Sequence, residues 1–269
     1  MTAETTGQVA RGGTGAGTGW DQRVDVLGIH VSVTDMDGTV ETFGKWIAAG
    51  DRQLVCVADM NAVLHARADE QLTEVYNTSG LTLADGMPLV WAGRKAGFDR
   101  MARVCGPDLF ERVMAEAAAR GWSQYFYGGA DGVAENLRDT FVGRHPSLRV
   151  AGVFSPPYRA LTAAEDAAIV DEINARRPDI VWVGLGAPKQ ERWMAEHRDR
   201  LDAAILIGVG AAFDFHTGRL DRAPVWMQKS GLEWSYRLYK EPRRLWRRYV
   251  LGIPRFGAGI LRRPPRPVS

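Results

Sequence analysis

A repeated alternation constrains this chain more than any other feature. Short apolar runs at Gln53–Ala58 (QLVCVA), Ser123–Tyr127, Leu148–Phe154, Asp179–Gly184 (DIVWVG) and Ala203–Val209 (AAILIGV) are separated by segments with helical periodicity. Runs this short and this continuously apolar read as strands covered on both faces. The helices expected around them are Val40–Ala49, Asn61–Tyr76, Met87–Ala96, Pro107–Arg120, Gly132–Val142, Ala163–Arg176 and Lys189–Arg200, with a brief strand at Leu81–Leu83. Strand followed by helix, over and over, builds βαβ units and a parallel sheet. The expected class is therefore α/β, a mostly parallel sheet flanked by helices. Two early segments read differently: Val24–Val33 alternates and reads as one strand, and Asp35-Met-Asp-Gly38 reads as a turn.

From Ala223 onward the pattern changes to helices alone. Pro224 suits the first turn of one helix and Pro242 that of another. Charge changes at the same place. Arg219 to Ser269 holds 13 of the 34 Lys+Arg but only 3 of the 32 Asp+Glu, leaving 21 basic and 29 acidic residues for the first 218. The net charge of +2 thus conceals an acidic body and a basic end, which points to an anionic partner met by one end of the molecule. The organisation expected is a disordered leader at 1–20, an α/β core at 21–218, a helical basic appendage at 219–255 and an unfolded basic tail at 256–269. The last of these rests on the proline-rich Arg262-Arg-Pro-Pro-Arg-Pro267.

No apolar run approaches the roughly 20 residues that cross a bilayer. Met1–Trp20 lacks the basic and apolar regions of a signal peptide. Two cysteines, Cys56 and Cys105, suit neither a disulfide framework nor a zinc site, and a reduced cytoplasmic protein is expected.

In open parallel sheets ligands bind beyond the C-terminal ends of the strands. That rule selects Ala58-Asp-Met-Asn61, Ala84-Asp-Gly-Met87, Tyr127-Gly-Gly129, Ser155-Pro-Pro157, Gly184-Leu-Gly-Ala-Pro-Lys-Gln190 and Gly208-Val-Gly-Ala211. The turns at Tyr127, Gly128 and Gly129, and at Gly184 and Gly186, resemble loops whose amides face a phosphate. Pro188, Lys189 and Gln190 adjoin the second. Each is equally a tight strand-to-helix turn. There is neither a phosphate-binding P-loop motif nor a dinucleotide fingerprint. Asp85, at a strand end, suits a general base or an ordinary Asp-Gly turn. Asp59 suits a second site carboxylate or a helix N-cap before Asn61. Arg103 suits a phosphate clamp or a surface cation. Asp214 and His216 are spaced like ligands on a strand but lack a third partner, Asp35 and Asp37 read as turn residues, and no metal is expected. His145 and His197 read as exposed helix ends. In the tail, Trp226, Leu232, Trp234, Leu238, Leu245, Trp246 and Tyr249 line one face of two helices, ringed by Arg237, Arg243, Arg244, Arg247 and Arg248. Such a face suits an anionic bilayer, stacked bases of single-stranded nucleic acid, or an ordinary packed pair of helices with solvated arginines.

Ala84-Asp-Gly-Met-Pro88, Arg103-Val-Cys-Gly-Pro-Asp-Leu109, Tyr127-Gly-Gly129, Val183-Gly-Leu-Gly-Ala-Pro-Lys-Gln-Glu191, Gly208-Val-Gly-Ala-Ala-Phe-Asp214 and the Arg-Ala-Pro to Arg-Arg-Tyr tail together resemble the WecG/TagA/CpsF family of bacterial glycosyltransferases. The ordered set covers about Val24 to Tyr249. The resemblance implies a Rossmann-like core. It implies an inverting transfer of N-acetylmannosamine or a related hexose from a UDP-sugar to a polyprenyl-diphosphate-linked saccharide, without metal or cofactor, in cell-surface polysaccharide or teichoic-acid-type biosynthesis. It implies a peripheral position on an anionic membrane surface at the inner face of the cell membrane, and for some members a homo-oligomer. Asp85 would be the base, with Arg103 and Gln190 as the other motif residues. The glycine turns, with Gly210, Asp214, Asp59 and Asn61, would hold the donor. The tail arginines would serve a lipid diphosphate. One departure stands out: where members often carry Thr-x-Asn, this chain has Val57-Ala-Asp59. Two other readings differ in kind. One is a nucleic-acid-binding protein that uses the basic aromatic tail, although Asp85 at a strand end would have no purpose there. The other is a nucleotide-sugar hydrolase or epimerase on the same fold, which would need no lipid.

Overall fold

A computed structural model describes residues 22–268, with the side chain of Lys229 outside the description. The leader expected at 1–20 lies outside the described residues. The core comprises β1 (Arg23–Val26), β2 (Ile29–Ser32), α1 (Met36–Ala49), β3 (Gln53–Ala58), α2 (Met60–Ala66), α3 (Glu70–Thr78), β4 (Leu81–Ala84), α4 (Met87–Lys95), α5 (Gly106–Arg120) and β5 (Ser123–Gly128). It continues through α6 (Val133–Arg144), β6 (Arg149–Phe154), α7 (Ala163–Arg176), β7 (Ile180–Gly184), α8 (Lys189–His197), β8 (Ile205–Gly208) and α9 (Ala212–His216). A helical C-terminal region follows: α10 (Val225–Lys229), α11 (Glu233–Lys240), α12 (Pro242–Trp246), a π-helical turn (Arg247–Leu251) and α13 (Gly252–Arg262), closed by β9 (Arg266–Pro267).

Six strands form the parallel sheet in the order β4-β3-β8-β7-β5-β6. The two-residue period of a strand divides its side chains between two cores. Leu54, Cys56, Val181, Val183, Leu206, Tyr125 and Tyr127 face α2, α3, α4, α7 and α8. Val55, Ile180, Trp182, Ile205, Ile207 and Phe126 face α1, α5, α6 and α9. Burial on both faces is why these strands read as unbroken apolar runs. All six strands point their C-termini to one edge, where Asp59 and Asp85 end the neighbouring β3 and β4.

Four local expectations are corrected. Val24–Val33 is a hairpin rather than one strand: Leu27 and Gly28 both take positive φ (58° and 100°), as a two-residue hairpin turn requires, and Asp25 accepts the Gly28 amide at 2.7 Å. Asp35 does not sit in a free turn but caps α1 by accepting the Gly38 amide at 2.8 Å. The segment Asn61–Tyr76 is two helices, because Asp69 caps a new one at Leu72. The tail expected to be unfolded continues as α13 and then pairs with the free edge of β1, Val24 opposite Pro267 and Asp25 opposite Arg266. Electrostatics explains the last: Asp25 is nearly buried and draws in Arg263 (2.6 Å) and Arg266 (3.4 Å). Pro267 is tolerated because it lies on an edge.

Candidate active site

The site begins with how β4 ends. The Asp85 amide bonds to Ala58 O (2.8 Å), which aligns the tips of β4 and β3. Gly86 and Pro88 then start α4. The loop before α5 folds back on the same tip: Val104 N donates to Ala84 O (2.9 Å), and Arg103 Nε donates to the Asp85 carbonyl (2.7 Å). The first amide of α5, Gly106 N–H, points at Asp85 Oδ1 (3.3 Å). Among the described residues, Asp85 Oδ2 accepts no hydrogen bond.

Asp85 lines a cavity of about 550 Å³. The core contributes Asp59, Met60, Met87, Trp91 and Arg103 to its wall. The C-terminal region supplies the facing wall with Glu233, Trp234, Arg237, Arg248, Tyr249, Ile253 and Ile260. A charged floor thus meets an apolar mouth, the usual make-up of a site that binds a mixed polar and apolar ligand. Withdrawal from water pushes the Asp85 carboxyl up to about 6, a rise that the Asp59 and Glu233 carboxylates reinforce. The Arg103 guanidinium and the Gly106 amide oppose it without cancelling it.

Asp59 behaves differently. Burial disfavours its charge, but the Arg248 guanidinium and two backbone amides outweigh that and hold its carboxyl below the usual range. Oδ1 caps α2 through Asn61 N (3.0 Å) and Ala62 N (2.8 Å), and Oδ2 is ion-paired to Arg248. Asp59 is thus the N-cap of α2 and also lines the cavity. Asn61 contributes its amide to that cap and does not line the cavity. Arg103 joins core to tail as well, through Glu233 Oε2 (2.6 Å) and Gln228 O (3.3 Å). Glu233 went unnoticed in the sequence, although an acidic residue among so many arginines was a signal.

Other expected site residues lie elsewhere. Tyr127 is buried, stacked on Trp193 at 4.2 Å, with burial pushing its hydroxyl up to about 12. Gln190 is buried as well. Its Oε1 accepts the Gly210 amide (2.9 Å) and its Nε2 donates to Glu191 (3.0 Å), so it braces the turn after β8 and does not enter the Asp85 cavity. That brace reaches the site indirectly, since the turn's Val209 carbonyl packs against Gly106, leaving only 3.2 Å for a Cβ there. Lys189 lies over the exposed Tyr158 ring (5.7 Å), just after the cis Ala187–Pro188 peptide. Asp214 is on a helix, not a strand, and pairs with Arg219 (3.5 Å); His216, on the same helix, bonds to the Pro107 carbonyl (2.9 Å). Among the described residues no group of three His, Cys, Asp or Glu is arranged to hold a metal. His197 is not an exposed helix end: it is buried between Trp193 O (2.7 Å) and Asp166 Oδ1 (2.8 Å). Of the tail arginines, Arg237 and Arg248 face the cavity, whereas Arg243, Arg244 and Arg247 face outward.

The glycine turns divide by what surrounds them. A Cβ on Gly128 would lie 2.7 Å from the Gly184 backbone, and one on Gly184 would lie 2.7 Å from the Phe213 ring. These two are small because chain packs on chain. Gly186 takes φ +77° with open space around it, and Gly210 takes φ +54° with its nearest neighbour at 3.8 Å. Gly128→Ala is therefore expected to destabilise the fold by about 2–4 kcal/mol, since positive φ and a backbone clash act together. Gly186→Ala should cost about 1 kcal/mol, from φ alone. Equal denaturation midpoints for the two variants would contradict this division.

The chain matches the family model for the glycosyl transferase WecG/TagA/CpsF family over residues 24–267. It is 31% identical over 195 residues to an N-acetylglucosaminyldiphosphoundecaprenol N-acetyl-beta-D-mannosaminyltransferase of Bacillus subtilis (strain 168), covering 72% of this chain and 73% of that protein. A protein of the same name from Bacillus spizizenii is 29% identical over 208 residues, 77% of this chain and 78% of its own length. Another from Staphylococcus aureus (strain MW2) is 26% identical over 236 residues, 87% and 90% of the two chains.

Proposed function

Because this chain belongs to the WecG/TagA/CpsF glycosyltransferase family, we propose that it transfers a hexose, N-acetylmannosamine or a close relative, from a UDP-sugar to a polyprenyl-diphosphate-linked saccharide with inversion at the anomeric carbon. The observation that carries this reading is a carboxylate with a raised pKa and one free oxygen, Asp85, in a cavity walled by arginines and apolar side chains. In the proposed step the acceptor hydroxyl attacks the anomeric carbon and gives its proton to Asp85 Oδ2. The bond from that carbon to the diphosphate oxygen breaks, and UDP leaves with the electron pair. A double-displacement route would need a second free carboxylate as nucleophile, whereas both oxygens of Asp59 are engaged and Glu233 is ion-paired to Arg103 and Arg222. Charge on the departing diphosphate is offset by Arg103, Arg237 and Arg248, with the open turn at Gly186 available to the nucleotide. The apolar mouth, with Trp91, Trp234, Ile253 and Ile260, suits the lipid end of the acceptor. No helix among the described residues is long and apolar enough to cross a membrane, so the proposed access to a lipid substrate is from the bilayer surface.

The direct test is a panel of UDP-sugars with a lipid-linked acceptor, following both UDP release and glycolipid. UDP release that needs no acceptor would replace this reading with a hydrolase. A pH profile tests the base separately. Asp85 must be ionised to accept a proton, so kcat/KM should rise about tenfold per pH unit below about 6 and level off above it. A flat profile from about pH 5 to about pH 8 would remove Asp85 from the role.

A further inference from the structure

Helix α13 has two working sides. Its buried stripe, Gly252, Phe256 and Gly259, lies on the core. Ile253, Gly257 and Ile260 flank that stripe on one side and wall the Asp85 cavity. On the other side Arg255, Ala258 and Arg262 face a second cavity, of about 340 Å³, completed by Leu64 and Arg67 at the end of α2 and by Arg263. Spacings of i, i+3 and i+7 put Arg255 and Arg262 two turns apart on one face. Glycine allows the close approach on which this depends: a Cβ on Gly259 would lie 3.0 Å from Leu27 and 3.6 Å from Arg67 Nη1.

The charges in this second cavity are not balanced. The side chains of Arg67, Arg255 and Arg262 have no hydrogen-bond or ion-pair partner among the described residues. Arg263 and the neighbouring Arg266 share a single carboxylate, Asp25. Like charges gathered in a concave site repel one another unless an anion joins them. Arginines from the ends of two helices line this one cavity, and guanidinium forks suit the oxygens of a phosphate. The rim then indicates the source of that phosphate. Leu261 is 78% exposed beside Arg262, and Pro254 is exposed beside Arg255. Apolar side chains next to arginines match the boundary between lipid headgroups and acyl chains.

We propose that the cavity between α2 and α13, lined by Arg67, Arg255, Arg262 and Arg263, binds the phosphate of an anionic phospholipid headgroup. The site rests on the proposed lipid-linked acceptor: the same helix walls the reaction cavity on its other side, so a lipid bound here sets the mouth of that cavity against the bilayer. It is separate from Arg237 and Arg248, which face the reacting groups.

The test uses the full chain and vesicles of phosphatidylcholine with or without about 30% phosphatidylglycerol, at fixed ionic strength. The wild type should bind the anionic vesicles. Arg67→Gln, Arg255→Gln and Arg262→Gln combined should weaken that binding at least tenfold, because each arginine near a charged surface contributes about a fivefold factor. A matched loss of charge, Arg243→Gln, Arg244→Gln and Arg247→Gln, should weaken it less than threefold. All three exchanged side chains of the cavity are exposed and unpartnered, so the thermal unfolding midpoint should not move. Equal losses for the two triple variants would show bulk attraction and overturn the site while leaving the membrane reading intact. No binding of wild type to any vesicle would defeat both. Saturation by soluble glycerol phosphate as tight as by vesicles would make this a free-phosphate site. An oligonucleotide complex lost with the same three residues would make it a nucleic-acid site, and either result overturns the proposal.

Discussion

Asp85→Asn is expected to lower turnover by at least about 100-fold and, in the same protein, to raise thermal stability. The two effects share one cause. Asparagine keeps the shape and can still accept the Gly106 amide, but it cannot take the acceptor's proton. The native carboxylate is held where water is scarce, so its folded pKa of about 6 lies above the ordinary 3.8. A carboxyl raised in this way binds protons more tightly in the folded chain. Its contribution to stability is full below about 3.8 and declines as pH rises through about 6. Above that, the charge is carried at a cost that asparagine does not incur. Allowing for partial exposure to solvent, the gain should be about 1–2 kcal/mol, or a few degrees in Tm, at pH 8 and close to nothing at pH 4. Paired melts at the two pH values, beside the rate, check both halves. A variant that is inactive and also less stable at pH 8 would mean that Asp85 holds the fold together and does not act as the base.

Much of this site was legible because strand ends are legible. Once Gln53–Ala58 and Leu81–Leu83 read as buried strands, Asp59 and Asp85 had to share one edge, and the sheet joins those strands side by side. The pattern does not record direction across the sheet. Tyr127 and Gly128 also end a strand, but Tyr127 projects from a face of the sheet into a helix layer, and so it is core. Gln190 illustrates a second limit. A polar side chain beside glycine turns suggests a ligand contact, whereas its partner is the Gly210 amide, brought close only by the crossover from β7 to β8. The basic tail hid the most. Composition marked Arg262–Pro267 as unfolded, since composition cannot register a free strand edge and a buried carboxylate waiting more than two hundred residues away. The same remoteness hid Glu233 as the partner of Arg103.

Arg248 joins these two lessons, and its replacement should have the second-largest effect. It reaches from the π-helical turn to Asp59, and its Nε is buried without a hydrogen-bond partner. The side chain also lines the reaction cavity, where a guanidinium can meet a ligand oxygen. If that oxygen belongs to a diphosphate whose charge grows as the sugar departs, Arg248→Met should lower kcat/KM by about 100-fold, the usual loss on removing one charged donor from a developing anion. Asp59→Asn separates this from a merely mechanical latch. Asparagine caps α2 as well as aspartate does, and it releases Arg248 from its ion pair while leaving the guanidinium in place. A residue serving the diphosphate should tolerate that change, with kcat/KM falling less than tenfold. A residue serving only to fasten the tail should not: Asp59→Asn would then match Arg248→Met, and the double variant would be no worse than either one. That equality would return Arg248 to the scaffold and leave Arg103 and Arg237 to meet the leaving group.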